Sequence, residues 1–153
     1  MNGLAHKELI RPVIWGSEAP RISIVDDDES VREALRSLMD SVGFGAEVFS
    51  SAEDFLNSGR LPVTGCLIVD VRMPGMSGLE LQRHLNATDF RVPIVFISAN
   101  DDDSARSRAL EAGAVDFLKK PFSEDALLRA IGTSLGIYVD VIDGFGQTSP
   151  FDL

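Results

Sequence analysis

Compact apolar runs alternate along this chain with longer stretches in which apolar residues return every three or four positions. RISIV (residues 21–25) is short and β-branched, and reads as a strand that stops abruptly at acids. Val31, Ala34, Leu35, Leu38, Met39 and Val42 then keep helical spacing, Gly43 supplies a stop, and Ser30 with Glu33 makes a candidate capping box. AEVFS (residues 46–50) predicts the second strand, and SAEDFL a short helix with Ser51 as its N-cap. CLIVD (residues 66–70) is apolar without alternation, as expected of a strand covered on both faces. A helix should follow from near Ser77, carrying Leu79, Leu81 and Leu85. PIVFIS (residues 93–98) repeats the strand pattern, and residues 105–112 predict a fourth helix stopped by Gly113. VDFLK (residues 115–119) is the fifth strand, and Ser123 caps a last helix with Leu127, Leu128 and Ile131 inward.

Strands alternating with helices in this way imply a parallel sheet with helices on both faces, joined by right-handed crossovers: a doubly wound α/β domain. Functional sites in such sheets lie beyond the carboxyl ends of the strands. Here those ends carry Asp26 and Asp27, Asp70, Ser98, and Lys119, Lys120 and Pro121. The pattern spans residues 21–135, leaving an N-terminal extension of residues 1–20 and a C-terminal tail of residues 136–153. Both flanks are too apolar for simple solvated tails, notably at Val13, Ile14 and Trp15 and from Ile137 to Ile142; packing on the domain or a partner, or fraying, would each fit.

Composition narrows the function. At 153 residues, with 44% hydrophobic and 25% charged, the chain suits one globular core without staples. A formal charge of -10 and no basic stripe argue against direct DNA binding and favour a basic partner or a cation. The single cysteine, Cys66, lies inside an apolar run and reads as core rather than as a reactive thiol. No apolar stretch is long enough for a membrane span and no leader pattern opens the chain, so a cytoplasmic protein is expected.

The acids at the strand ends are the strongest chemical signal. Two carboxylates ~4 Å apart repel by roughly 4 kcal/mol at an effective dielectric near 20, so a pocket holding three must raise some pKa values or recruit a cation. Oxygen-only ligands suit Mg²⁺, and the lack of nearby histidine or thiolate disfavours zinc. A cation would let an anionic phosphoryl group approach a carboxylate nucleophile, and Asp70, alone at the end of a buried strand, is best placed for that role. Lys120 and Ser98 are the residues available to hold the remaining phosphoryl oxygens. Each of these residues also has a plain reading: Asp26 and Asp27 as charges favourable to a helix N-terminus, Lys119 and Lys120 as a solvated pair, Ser98 as a strand cap, Phe117 as core.

VDD (residues 25–27), VDVRMPGMSG (residues 69–78), ISA (residues 97–99) and KPF (residues 120–122) together resemble the receiver domain of bacterial two-component response regulators. EAGAVDFLKKPF and SAEDFL further resemble the receivers of the LuxR-type, FixJ-like class. The resemblance implies a flavodoxin-like three-layer (βα)5 sandwich with strand order 2-1-3-4-5. It makes Asp70 the phosphoacceptor, and Asp26, Asp27, Asp70 and the backbone carbonyl of Arg72 the ligands of Mg²⁺, or of Mn²⁺ in its place. Ser98 becomes the switch hydroxyl, Phe117 the switch aromatic, and Lys120 the site lysine, with the bond from Lys120 to Pro121 cis. Phosphorylation would bring Ser98 toward the phosphoryl group, turn Phe117 inward and remodel the face formed by the fourth helix, fifth strand and fifth helix, through which a homodimer could also form. The donor would be a sensor histidine kinase or a histidine phosphotransfer protein. Arg72 and Asn100, each two residues past a site residue, would influence water access.

Such a protein is a phosphoacceptor rather than an enzyme acting on a separate substrate. An aspartate-nucleophile phosphatase would want a second acid where Arg72 stands, and a flavin or nucleotide binder a glycine-rich loop after the first strand. A receiver-like interaction module that is never phosphorylated is the remaining alternative. Residues 136–153 are too few for a three-helix DNA-binding module, so the sequence favours a receiver without an output domain. His6 and His84 are expected outside the site, and the aspartates at 101–103 to cap the fourth helix.

Overall fold

The computed structural model describes residues 21–137, and the apolar flanking positions other than Ile137, together with His6, lie outside them. Five parallel strands form one sheet: β1 (Arg21–Val25), β2 (Gly45–Phe49), β3 (Thr64–Asp70), β4 (Ile94–Ser98) and β5 (Asp116–Lys119), in the order β2-β1-β3-β4-β5. The helices are α1 (Glu29–Ser41), α2 (Ala52–Asn57), α3 (Gly78–Asn86), α4 (Asp103–Glu111) and α5 (Glu124–Leu135). A 3-10 turn at Leu61–Val63, absent from the apolar pattern, leads into β3.

Alternation of side chains along the strands divides the core in two. Ile22, Ile24, Cys66, Ile68, Val95 and Ile97 face Leu35, Leu38 and Met39 of α1 and Leu127, Leu128 and Ile131 of α5. Val25, Leu67, Val69, Phe96 and Phe117 face Phe55 of α2, Leu81 and Leu85 of α3, and Ala105 and Ala109 of α4. Helices on both faces explain why the central strands are apolar throughout: neither face meets water. The Cys66 thiol is buried in the first of these cores, and burial pushes its pKa up to about 12, so it stays protonated.

The ends of the helices follow local chemistry. Ser51, Ser77 and Ser123 each accept a hydrogen bond from a first-turn N–H, and Ser77 with Glu80 completes a capping box. In α1 the expected capping box is replaced by Asp28, whose carboxylate accepts from the Ser30 N–H; Glu33 instead pairs with Arg36 at 3.3 Å. Ala34, expected to face inward, is exposed, because α1 rests on the sheet along the narrower line of Leu35, Leu38 and Met39. Gly136 ends α5 with φ 71°, and Ile137 turns back onto the core. No helix among the described residues is long and apolar enough to cross a membrane.

Candidate functional site

The chain leaves β1 for β2 on one side and returns through β3 on the other, which opens a crevice beyond the carboxyl ends of these two central strands. Asp26, Asp27 and Asp70 stand there, with carboxylate oxygens all within 4.8 Å of one another. Asp26 is fully buried, because its N–H prolongs the sheet by donating to the Phe49 carbonyl at 3.1 Å. Its side chain accepts the Asp28 N–H at 2.9 Å, and Arg32 of α1 donates to its carbonyl at 2.8 Å. Asp27, one residue on, is exposed.

Lys120 enters from the far side of the sheet. Its N–H donates to the Ser98 carbonyl at 2.7 Å, the bond to Pro121 is cis, and its ammonium lies 3.4 Å from Asp26. Burial, with the Asp26 carboxylate adding to it, pushes the Asp70 pKa from 3.8 up to about 6, against the opposing pull of Lys120. The Asp26 carboxyl is also raised, by burial, while the Asp28 N–H and Lys120 draw it back. One ammonium does not neutralise three carboxylates, and the donor set is oxygen alone, so the residues fit a hard divalent cation such as Mg²⁺.

The remaining candidates surround this cluster without all touching it. Ser98 is buried, and its hydroxyl is occupied by the backbone of Asn100, donating to the carbonyl and accepting from the N–H, each at 3.1 Å. Phe117 already faces inward, its ring 6.1 Å from that of Phe96, and the Arg106 guanidinium covers it at 5.9 Å while donating to its carbonyl at 2.8 Å. The Arg72 backbone favours the charged form of Asp70, but its side chain meets Asp102 at 2.8 Å. His84 is exposed and outside the cluster, and Asp102 of the aspartate run caps α4.

The family of the response regulator receiver domain matches residues 22–132. The chain belongs to that family. Among its relatives, the response regulator protein TodT of Pseudomonas putida is 52% identical over 114 residues, covering 74% of this chain and 50% of TodT. Of solved structures, the response regulator StyR superposes with a TM-score of 0.72 at 52% identity, over 77% of this chain and 60% of StyR. FixJ-N superposes at 0.70 with 37% identity, over 78% of this chain and 96% of FixJ-N. The chain spans about half the length of the curated relatives it matches. As a receiver domain it is a signalling module of a kind that takes phosphate from kinases, and receiver domains generally bind Mg²⁺ at an acidic pocket like the one described.

Several residues that shape this receiver's site escaped the sequence reading. Glu53 of α2 accepts the Met76 N–H at 2.9 Å and so clasps the loop after Asp70. Gln82, buried, donates to the Ala109 carbonyl at 3.0 Å, and Asn86 to that of Ala112 at 3.0 Å, tying α3 to the end of α4. A signal for Gln82 was present: it falls on the inward stripe of Leu81 and Leu85, where a polar residue needs a buried partner. Glu53, Arg106 and Asn86 sit on outward positions and left no such trace.

Proposed function

We propose that Asp70 accepts a phosphoryl group from the phosphohistidine of a sensor histidine kinase or histidine phosphotransfer protein. A carboxylate oxygen of Asp70 attacks phosphorus, the phosphorus–nitrogen bond breaks as the phosphorus–oxygen bond forms, and the imidazole leaves with the electron pair and takes a proton from solvent. The single observation that carries this reading is the convergence of three carboxylates within 4.8 Å, with Lys120 3.4 Å from Asp26. Asp26, Asp27, Asp70 and the carbonyl of Arg72 would hold Mg²⁺ or Mn²⁺, which supplies the positive charge an incoming phosphoryl group requires. Lys120 would then exchange Asp26 for a phosphoryl oxygen, and Ser98 would exchange the Asn100 backbone for another. The movement of Ser98 would reach the surface through α4, β5 and α5.

Incubation with acetyl phosphate and Mg²⁺ should add an acid-labile phosphoryl group, read by intact mass. Asp70→Asn should abolish the adduct, and Asp27→Ala should lower its yield by ~10-fold or more, the scale of losing a metal-site group. Asp28→Ala should leave the yield unchanged, since Asp28 caps α1 rather than joining the cluster. An adduct of undiminished yield on Asp70→Asn would refute the assignment and leave a receiver-like module that is never phosphorylated at this site.

A further inference from the structure

The fourth helix is the least firmly packed of the long helices. Its buried side chains are only Ala105 and Ala109, whereas α5 buries Leu127, Leu128 and Ile131 among others. A buried methyl contributes on the order of a third of a buried leucine, so α4 depends on side-chain tethers to stay in place. Arg106 reaches the β5 backbone, and Gln82 and Asn86 hold the helix's C-terminal end. Its N-terminal end is held by Asp102 in two ways at once: one carboxylate oxygen accepts the Ala105 N–H at 3.0 Å as the helix cap, and the other accepts the Arg72 guanidinium at 2.8 Å. Among the described helices, α4 alone has a capping side chain that also bonds outside its own first turn.

Arg72 is the second residue after Asp70, and its backbone favours the charged form of the Asp70 carboxylate. Its side chain is 61% exposed and, among the described residues, is held by Asp102 alone, so it can swing without disturbing the core. We propose that Arg72 is a positioning residue that changes partner with the state of Asp70: it holds the α4 cap in the unmodified protein and leaves Asp102 for the phosphoryl group once that group is present. This inference rests on Asp70 being the phosphoacceptor. A phosphoryl group brings about two negative charges and three acceptor oxygens, and a guanidinium can meet two of these with parallel hydrogen bonds. Even beside a divalent cation and Lys120 the loaded site stays net negative, so it competes favourably with the single, solvent-screened charge of Asp102. Release leaves the α4 cap with its local bond only, in the helix with the least apolar anchorage.

Amide hydrogen exchange of Ala105 and Arg106, followed with and without acetyl phosphate and Mg²⁺, tests this directly. In the wild type, loading should speed exchange of these amides by roughly threefold to fivefold, the scale of weakening a helix cap. Arg72→Ala, which keeps its backbone carbonyl, should show the faster exchange before loading and no further change in the fraction of molecules that intact mass finds loaded. Arg72→Lys, which keeps a charge without the paired geometry, should respond part-way. A response in Arg72→Ala equal to that of the wild type would overturn the partner change, as would a wild type that carries the adduct with α4 unresponsive. Failure of the wild type to acquire the adduct at all would instead overturn the phosphoacceptor reading and this inference with it.

Discussion

Burial and the Asp26 carboxylate raise the pKa of Asp70 from 3.8 to about 6, so the folded state holds this proton over a range where the unfolded chain has lost it. Stability therefore falls as pH rises from about 4 to about 6, and in the absence of metal the whole cost is present at neutral pH. Asp70→Asn removes that charge while keeping the shape of the side chain. It should stabilise the metal-free protein at pH 7 by roughly 1–3 kcal/mol, and by almost nothing near pH ~3, where Asp70 is largely protonated in the folded and the unfolded chain alike. Urea denaturation in the presence of a chelator at the two pH values measures the difference. Equal stability at pH 7 would mean that Asp70 carries no electrostatic penalty in the fold.

At the scale of the element, the first turn of α3 is tied to the strand end it follows. The Gly78 N–H donates to the Val71 carbonyl at 2.9 Å, and a Cβ at Gly78 would run into the Asp70 carbonyl oxygen, with Val71 and Phe96 also at 3.1 Å. The obstacle is largely backbone, which cannot swing aside as a flexible side chain would. Gly78→Ala should thus destabilise the protein by ~1–3 kcal/mol, as overpacking does, and also slow phosphoryl labelling, because the strain falls on the backbone of Asp70 itself. Ser77→Ala is the control: it removes the capping bond of the same helix, at about 1 kcal/mol, without touching Asp70. Comparing denaturation midpoints and labelling rates of the two variants separates a lost cap from a displaced strand end. Matching labelling rates would show that the close approach at Gly78 serves packing alone.

At the scale of the molecule, three carboxylates converge at the centre of a chain whose formal charge is -10. A cation bound only by the folded state adds stability as its concentration rises, about 2.7 kcal/mol at a hundred times its dissociation constant. Mg²⁺ should accordingly raise the melting temperature by several degrees beyond the effect of NaCl at equal ionic strength. The excess should vanish in the Asp26→Asn, Asp27→Asn double variant. Thermal unfolding monitored by circular dichroism decides it, and identical Mg²⁺ and NaCl curves for the wild type would exclude a specific divalent site.

Much of this receiver is legible in its sequence because the signals are local or bounded by solvent. A strand covered on both faces must be apolar along its length, so β3 and β4 stand out, and the acids that interrupt such runs mark the strand ends. Ser51 and Ser123 were readable as caps because their bonds span only three residues. The neighbouring acids Asp26 and Asp27 were readable as a pair, but not that one is buried and the other exposed. That difference arises from Phe49 in the next strand and Lys120, 94 residues away. The hydroxyl of Ser98 spent on Asn100, the inward ring of Phe117, and the contact of Arg72 with Asp102 across 30 residues likewise depend on where packed elements bring distant side chains. Sequence by itself determined the five strands and five helices, their alternation and the acids that stand at the strand ends, since these follow from spacing within a few residues. Tertiary structure alone decided which charges share a dielectric and which tethers hold the fourth helix, because those energies depend on distances between elements that no local pattern encodes.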